Sequence, residues 1–310
     1  LVLLLQHFLY KEYLDIITQF EPTVFVMENV KGLLSSKIRG IPIFDQILLD
    51  LKHPGQGRTK YNIFSLSNAP RSNDLFGPVF NSKDFIIKAE GYGVPQARHR
   101  VILLGVRSDV SVNQAQLLLT KAPEVTVGQV LSNMPKLRSG LSKVDDTATN
   151  WQLMTAAALK NAAAILNVDA VKVLKNRLPE FRGKRFARSK KTLSNKLPEA
   201  LKDWLADDQL NGIIQHQTRG HMNSDIARYA YVSLFGDLHR RSPLISEFPK
   251  HLLPDHKNVH SGKFVDRFKS QVRRLPSKTI TSHIAKDSHA FIHFDPIQCR
   301  GLTVREAARI

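Results

Sequence analysis

Two apolar segments, TVFVM at residues 23–27 and RVILLGV at residues 100–106, indicate the fold. Each is a short run of β-branched and other apolar side chains, which is typical of a buried strand in a parallel sheet. Residues 1–20 and 41–52 place apolar side chains at helical spacing and so predict helices before and after the first strand. Strands that alternate with helices are typical of a doubly wound α/β architecture, and we expect one here.

The composition favours a globular protein with a polyanionic partner. The 310 residues include 45 Lys+Arg and 27 Asp+Glu, a formal net charge of +18, which favours nucleic acid over a membrane surface. No apolar run approaches the roughly 20 residues that a membrane helix needs. The single cysteine, Cys299, excludes an internal disulfide and is compatible with a reducing cytoplasm, where we expect the protein.

The positive charge is concentrated in the middle of the chain. Residues 111–276 hold 27 basic and 14 acidic side chains, a net charge of +13, against +3 for residues 1–110 and +2 for residues 277–310. The most basic run extends from Lys172 to Lys191, with aromatic residues interleaved. It predicts a nucleic-acid-facing surface, although a merely solvated face is the alternative. The candidate phosphate contacts in this run are Lys184, Arg185 and Arg188.

Polar residues adjoin both predicted strands. Glu28 and Asn29 follow the first strand at its carboxyl end, where open α/β sheets bind their ligands. A carboxylate there could donate a proton or hydrogen bond to a ring nitrogen, or it could simply cap the next turn. Arg98 and Arg100 lie two residues apart, and an extended backbone would point both the same way. Two guanidiniums on one face could clamp a phosphate and a carbonyl oxygen, or they could form structural salt bridges.

Four stretches, in this order, resemble motifs of the DNA cytosine-5 methyltransferases. They are FVMENVKGLL (25–34), AEGYGVPQARHRVILLGVR (89–107), RRLPSKTITSH (273–283) and RGLTVREAARI (300–310). The resemblance implies a partial Rossmann-like S-adenosylmethionine methyltransferase core, interrupted by a mixed, basic target-recognition domain. Residues 1–110 would then be the C-terminal half of the catalytic domain, 111–276 the recognition domain, and 277–310 the segment that returns to the catalytic domain.

The resemblance also implies an activity and roles for individual residues. Such enzymes flip a cytosine out of double-stranded DNA and transfer a methyl group from S-adenosyl-L-methionine to its carbon 5. By motif position, Glu28 would hold and protonate the ring at N3, and Asn29 would brace that loop. Arg98 and Arg100 would grip the flipped cytidine, and Gln96 would help to close the pocket.

Three motifs of the family are absent from the sequence. There is no Pro-Cys-Gln triplet to supply the nucleophile, and Cys299 stands where the family has no catalytic role. The glycine-rich loop that holds the cofactor and the terminal Gly-Asn-Ser stretch are missing too, so the resemblance names no cofactor-binding residue here. We expect a chain truncated at both ends, inactive alone, from a parent that is an active methyltransferase.

One loop of the predicted recognition domain holds further candidate DNA contacts. Thr218 and Arg219, in the loop HQTRGH at 216–221, are candidate DNA contacts. The histidine spacings match no metal-ligand scaffold, and we expect no metal. We expect a monomer without membrane attachment, with a cognate restriction endonuclease as a possible partner. The alternatives are a DNA-binding relic that has lost its chemistry, and the RNA-methylating branch of the family.

Overall fold

The structure, a computed structural model, describes residues 2–38, 40–55, 59–75, 77–170, 186–187, 193–206, 209–254 and 267–310. The chain folds into two compact units: unit 1 contains Leu1–Tyr92 and Arg98–Ala122, and unit 2 contains Gly93–Ala97 and Pro123–Ile310. The division after residues 110 and 276 that the sequence suggests stays a prediction. Within the described ranges, no helix is long and apolar enough to cross a membrane.

The described part of unit 1 combines helices with a small sheet. Its helices are α1 (Val2–Phe20), α2 (Ile43–Lys52) and α3 (Gln114–Leu117), with 3-10 turns at Lys31–Ser35, Ser82–Phe85 and Ala89–Gly91. Its strands are β1 (Val24–Val30), β2 (Lys37–Ile38), β3 (Ile41–Pro42), β4 (Tyr61–Phe64), β5 (Ser72–Asp74), β6 (Gly77–Val79), β7 (Ile86–Lys88) and, after β8 (Gln96–Ala97) of unit 2, β9 (His99–Arg107).

The central sheet of unit 1 is organised around β9. This strand pairs with β1 along one edge and with β4 and β7 along the other, and all three pairings are antiparallel. The prediction of strands at 23–27 and 100–106 is confirmed, but β1 continues to Val30, so Glu28 and Asn29 lie within the strand and not after it. The parallel pairing expected of these strands is not what they form. An apolar run shows that a strand is buried on at least one face and does not show in which direction its partner runs.

The two long helices cover one face of this sheet. In α2 the buried side chains are Ile43, Phe44, Ile47 and Leu51, and they share one cluster with Ile63 of β4. Each such side chain, when fully buried, contributes about 1.5–3 kcal/mol to stability. The helices predicted at 1–20 and 41–52 are both confirmed.

Unit 2 is richer in helices. Its described helices are α4 (Val127–Leu131), α5 (Ala148–Ile165), α6 (Glu199–Leu205), α7 (Asn223–His239) and α8 (Val304–Arg309), with 3-10 turns at Ile245–Glu247, Lys250–Leu252 and Ser282–Ala285. Besides β8, its described strands are β10 (Gly140–Leu141), β11 (Phe186–Ala187), β12 (Ile213–Ile214), β13 (Gly220–His221) and β14 (Ser277–Lys278).

The packing of α5 against α7 forms the main core of unit 2. Trp151 of α5 and Tyr229 of α7 are both fully buried there, and the Trp151 indole Nε1 donates a hydrogen bond to Ser139 Oγ at 2.9 Å. The sequence predicts a helix over 152–175. The observed helix begins four residues earlier, because Thr147 Oγ1 accepts a hydrogen bond from Asn150 N and caps it, and it ends at Ile165, so the prediction of helix beyond that residue is wrong for 166–169.

A buried ion pair holds the C-terminal segment of unit 2. The Arg300 guanidinium contacts both oxygens of the Glu306 carboxylate at 2.7 Å, and both side chains are at most 1% exposed. The same carboxylate accepts a hydrogen bond from Thr303 N at 2.8 Å and so completes a capping box at the start of α8. Burial alone would raise the pKa of Glu306, but the Arg300 guanidinium holds that pKa far below its usual range.

Breaking this pair is expected to destabilise unit 2. Arg300→Met leaves the Glu306 carboxylate buried without its counter-ion, which typically costs about 3–5 kcal/mol. Urea unfolding followed by circular dichroism measures the change. Arg71→Met is the control, because the Arg71–Asp84 pair has a 61% exposed arginine and should change stability by less than about 1 kcal/mol. Equal losses of stability in the two variants would contradict the conclusion that the buried Arg300–Glu306 pair stabilises unit 2.

His293 gives this region a pH dependence. It is 3% exposed, with its Nε2 3.5 Å from Glu306 Oε1, and burial together with the Arg300 charge lowers its pKa from 6.5 to about 4. The unfolded chain therefore binds a proton that the folded chain rejects, and the free energy of unfolding should fall as pH drops from 6.5 towards 4. In the His293→Asn variant, urea unfolding at several pH values should show that the free energy of unfolding falls less steeply between pH 6.5 and pH 4 than in the wild-type chain. The same steepness in both proteins would mean that groups other than His293 cause the fall.

Candidate functional site

The strand register of unit 1 brings Glu28 and Arg100 together. Glu28 of β1 lies opposite Ile102 of β9, and Val30 lies opposite Arg100, so Glu28 and Arg100 are diagonal neighbours on one face of the sheet. Arg100 Nε lies 2.6 Å from Glu28 Oε1. The Glu28 side chain is 49% exposed and that of Arg100 is 20% exposed. The structure therefore unites, as one ion pair, two residues that the sequence separates by 72 positions.

Glu28 lines a cavity of about 500 Å³ within unit 1. Its lining includes Tyr13, Val26 and Leu33, which are apolar or aromatic, and the polar residues Glu28 and Asn29. A mostly apolar cavity with a few convergent polar groups is the usual form of a small-ligand site, and this volume lies in the usual range. Glu28 lies within β1, two residues before the end of the strand, and its role at a ligand site stays a prediction.

Neighbouring groups hold this part of the site in place. Asn29 Oδ1 accepts a hydrogen bond from Val30 N at 2.8 Å, which fixes the exit from β1. The Arg100 guanidinium also donates from NH1 to the His99 carbonyl oxygen at 2.8 Å. Arg98 is exposed to solvent, and its carbonyl oxygen accepts a hydrogen bond from Ala89 N.

Sequence reasoning missed a second ionisable pair next to the site. His99 Nε2 lies 2.6 Å from Glu90 Oε1, and Glu90 Oε2 is buried with no hydrogen-bond partner among the described residues. The two residues are nine positions apart, on a 3-10 turn and on β9. Only their presence within one motif-like stretch, 89–107, could have signalled the contact.

Gln96 lies in unit 2, and its amide is engaged in backbone hydrogen bonds. Gln96 Nε2 donates to the Ile310 carbonyl oxygen at 2.7 Å, and Gln96 Oε1 accepts from Ile280 N at 3.3 Å. β8 and β14 also pair in parallel, and Thr279 Oγ1 donates to the Ala97 carbonyl oxygen. These bonds join the segment after residue 277 to the short strand at Gln96. That Gln96 closes a substrate pocket stays a prediction.

The recognition-loop candidates are anchored to the protein backbone. Thr218 Oγ1 donates to the Arg138 carbonyl oxygen at 2.8 Å, and the exposed Arg219 donates from NH2 to the Ala285 carbonyl oxygen at 3.0 Å. The flanking His216 and His221 are buried, and burial lowers the pKa of His221 to about 3. These histidines therefore belong to the core. The other candidates, Lys184, Arg185 and Arg188, lie outside the described residues.

The chain's cysteine has no access to a ligand. Cys299 is 1% exposed, its thiol donates to the Pro296 carbonyl oxygen, and burial raises its pKa. A reactive cysteine needs the thiolate and an accessible sulfur, and Cys299 has neither. In the part of the chain that the structure describes, no group of three or more His, Cys, Asp or Glu side chains could hold a metal ion.

Comparisons with known proteins find similarity to DNA methyltransferases. A family model for C-5 cytosine-specific DNA methylase matches residues 6–310. The chain is 28% identical, over 98% of its length, to the type II methyltransferase M.Bpa9945I of Bacillus paralicheniformis, covering 55% of that protein. It is 32% identical, over 44% of its length, to the type II methyltransferase M.NgoFVII of Neisseria gonorrhoeae, covering 33% of that protein.

A solved E. coli structure is also similar. It is described as a proposed DNA modification methyltransferase encoded within a prophage, with 15% sequence identity and a TM-score of 0.48. The match covers 98% of this chain and 62% of the E. coli chain. The chain thus spans between about a third and two thirds of the length of these relatives.

The exposure of the Glu28–Arg100 pair predicts that it contributes little to folding. Glu28→Gln and Arg100→Gln should each change the free energy of unfolding by less than about 1 kcal/mol, because the Glu28 carboxylate is half exposed and water screens its charge whether or not the arginine is present. Urea unfolding of both variants measures this, with Arg300→Met as the strongly destabilised reference. A loss of several kcal/mol in Glu28→Gln would mean that the carboxylate serves the fold.

Proposed function

The chain belongs to the C-5 cytosine-specific DNA methylase family, and we propose on this basis that it forms the part of a DNA cytosine-5 methyltransferase that holds the flipped target cytosine and binds the surrounding double-stranded DNA. Enzymes of this family use S-adenosyl-L-methionine as methyl donor. The observation that supports the proposal is that Glu28, which is paired with Arg100, lines a cavity large enough for a nucleobase.

The proposed role of Glu28 follows from its position and chemistry. A base inside a duplex is inaccessible and must leave the stack to react. Once flipped, cytosine presents N3 and its carbonyl oxygen along one edge of the ring. Glu28 would hold, and transfer a proton to, the ring at N3, which stabilises the ring when a nucleophile adds to it. The cavity beside Glu28 would exclude water from that edge.

The arginines would bind the rest of the nucleotide. The Arg100 guanidinium contacts Glu28 through Nε and the His99 carbonyl oxygen through NH1. These two contacts hold its orientation before a nucleotide binds. One of its three remaining N–H donors would bind the cytosine carbonyl oxygen beside N3. Arg98, which is exposed, would bind a neighbouring phosphate. Asn29 would keep the loop after β1 in position through its bond to Val30 N.

The residues described do not fit the cofactor by themselves. The glycines with close neighbours pack against protein: a Cβ at Gly128 would meet the Arg273 backbone, and one at Gly236 would meet Ser270 Oγ. Neither forms a loop whose backbone faces an open cradle for an adenosyl group. S-adenosyl-L-methionine, when bound, supplies the methyl group, and we derive no step through it from these residues.

The nucleophile is also not supplied by the sequence of this chain. The Pro-Cys-Gln triplet is absent, and Cys299 is buried. We propose that methyl transfer requires a polypeptide that carries this motif together with residues 1–310, and that the chain alone is inactive. We further propose a monomeric, cytoplasmic protein. The relatives' names, which describe type II methyltransferases, support the proposal that it modifies double-stranded DNA beside a cognate restriction endonuclease.

Methyl-transfer assays test this proposal. The chain alone, given tritiated S-adenosylmethionine and mixed-sequence duplex DNA, should incorporate no label. A polypeptide that joins residues 1–310 to a Pro-Cys-Gln segment from its own upstream coding DNA should methylate cytosine. In that polypeptide, Glu28→Gln should lower turnover about 100-fold or more, in line with the loss of a positioned acid, while the Kd for DNA stays within about twofold.

The matched control is Glu12→Gln, which removes an exposed carboxylate from α1 of the same unit. It should retain full turnover. Equal activity of Glu28→Gln and Glu12→Gln would remove Glu28 from the mechanism. An upstream frame without a cysteine motif would favour the DNA-binding relic, and preferential binding of tRNA over duplex DNA across a salt series would favour the RNA-methylating branch.

A further inference from the structure

The loop at residues 215–222 and the turn at residues 281–286 meet on the surface of unit 2. The Arg219 guanidinium donates a hydrogen bond from NH2 to the Ala285 carbonyl oxygen at 3.0 Å, which joins two segments that lie far apart in the sequence. We call this joined region the loop–turn surface. Its exposed side chains include Arg219, Ser282 and Lys286.

The backbone of the loop is fixed on both sides of Arg219. Thr218 Oγ1 donates to the Arg138 carbonyl oxygen at 2.8 Å. The Arg219 carbonyl oxygen accepts from Gly140 N at 2.8 Å, and β10 pairs with β13 in parallel at the same place. A backbone that is ordered before binding loses less conformational entropy when a ligand binds, so this position suits a recognition residue.

The Arg219 guanidinium is oriented by its contact but keeps most of its donors. An arginine has five N–H groups, and the bond to Ala285 uses one of the two on NH2. Each of the two polar edges of a guanidinium presents a pair of parallel N–H groups, and the edges share NH2 through different hydrogens. Whichever hydrogen Ala285 engages, one complete edge therefore remains to bind a ligand.

The charge of the loop–turn surface is positive. Neither residues 215–222 nor residues 281–286 contain a carboxylate, whereas Arg219 and Lys286 are cationic. The first acidic residue after each segment already has a partner at 3.1 Å, and these pairs are Asp225–Arg228 and Asp287–His283. Among the described residues, neither Arg219 nor Lys286 forms an ion pair. The surface therefore suits an anionic partner that carries hydrogen-bond acceptors.

We infer that Arg219 recognises a guanine through the major groove of the target duplex, while Lys286 contacts a nearby phosphate. Two parallel N–H donors match the O6 and N7 acceptors of guanine, which is the commonest specific contact between proteins and DNA bases. A lysine offers a phosphate a point charge without base preference. The surface that contacts DNA thus extends to residues 281–286, beyond the basic segment 111–276. The inference rests on the proposed function, because it takes duplex DNA as the partner.

Selection from a pool of duplexes tests the guanine contact. The wild-type chain of 310 residues, incubated with duplexes that are randomised over a central segment, should enrich sequences with guanine at fixed positions. Arg219→Lys keeps the positive charge but removes the parallel donors, so the preference for guanine should disappear at one of these positions. The other preferences should remain.

The matched control is Arg240→Lys. Arg240 is exposed and follows the far end of α7, a helix of 17 residues that begins at Asn223, directly after the loop. At about 1.5 Å per residue, the length of this helix places Arg240 about 25 Å from Asn223. The control variant should give the wild-type sequence profile.

A modified base gives a readout on the wild-type chain itself. 7-Deazaguanine pairs with cytosine as guanine does but lacks N7. At the position that Arg219 contacts, it should raise the Kd of the wild-type chain several-fold and leave the Kd of Arg219→Lys unchanged. Arg219→Lys itself should raise the Kd for the unmodified duplex by about 5- to 140-fold. Equal effects of 7-deazaguanine on the two proteins would overturn the contact.

The salt dependence of binding tests the phosphate contact. Lys286→Gln should reduce the slope of log K against log salt by about 1 and keep the wild-type sequence profile. Lys160→Gln, on the exposed face of α5, should leave both unchanged. An unchanged slope in Lys286→Gln would remove this lysine from the surface that contacts DNA.

The outcomes separate this inference from the proposed function. If the wild-type chain binds no duplex DNA, the proposed function fails and the inference fails with it. If the chain binds duplex DNA but enriches no guanine, or Arg219→Lys keeps the wild-type profile, the guanine contact is wrong while the proposed function stands. Loss of one guanine preference in Arg219→Lys, together with a 7-deazaguanine effect on the wild-type chain alone, supports the contact.

Discussion

The pairing of β1 with β9 is the constraint on which the candidate site depends. Phe25 lies opposite Gly105, and any side chain at position 105 would collide with the Phe25 ring, which makes this register specific. A slip by one residue would turn every side chain of β1 to the other face of the sheet. Glu28 would then leave Arg100 and the cavity beside it. A packing contact in the core of unit 1 thus decides where the Glu28 carboxylate lies.

Two carboxylate–arginine pairs in this protein have opposite meanings. Glu28 and Arg100 meet at a surface where water screens them, so the pair adds little to stability and leaves the carboxylate within reach of a ligand. Glu306 and Arg300 meet in the interior, where each needs the other, and they also cap α8. The residue types are the same in both pairs. Burial decides which pair supports the fold and which can serve chemistry.

The helices of unit 1 were predictable from the sequence, whereas the direction in which its strands pair was not. Apolar spacing correctly predicted α1 and α2, since a helix that covers a sheet must repeat its apolar positions every three or four residues. The direction of β1 relative to β9 was not predictable, because pairing joins positions 24–30 to positions 100–106 and no local pattern records the partner. His216 and His221, in a polar loop sequence, proved to be core residues for the same reason.

The sequence by itself determined the family, the excess positive charge and the residue types of the candidate site, because motifs and composition are properties of the chain alone. Only the tertiary structure decided that Glu28 is paired with Arg100, that Gln96 bonds to the backbone of Ile310, and that Cys299 is sealed from solvent. Each of these depends on which distant segments meet and how much water they exclude, and that is set by packing.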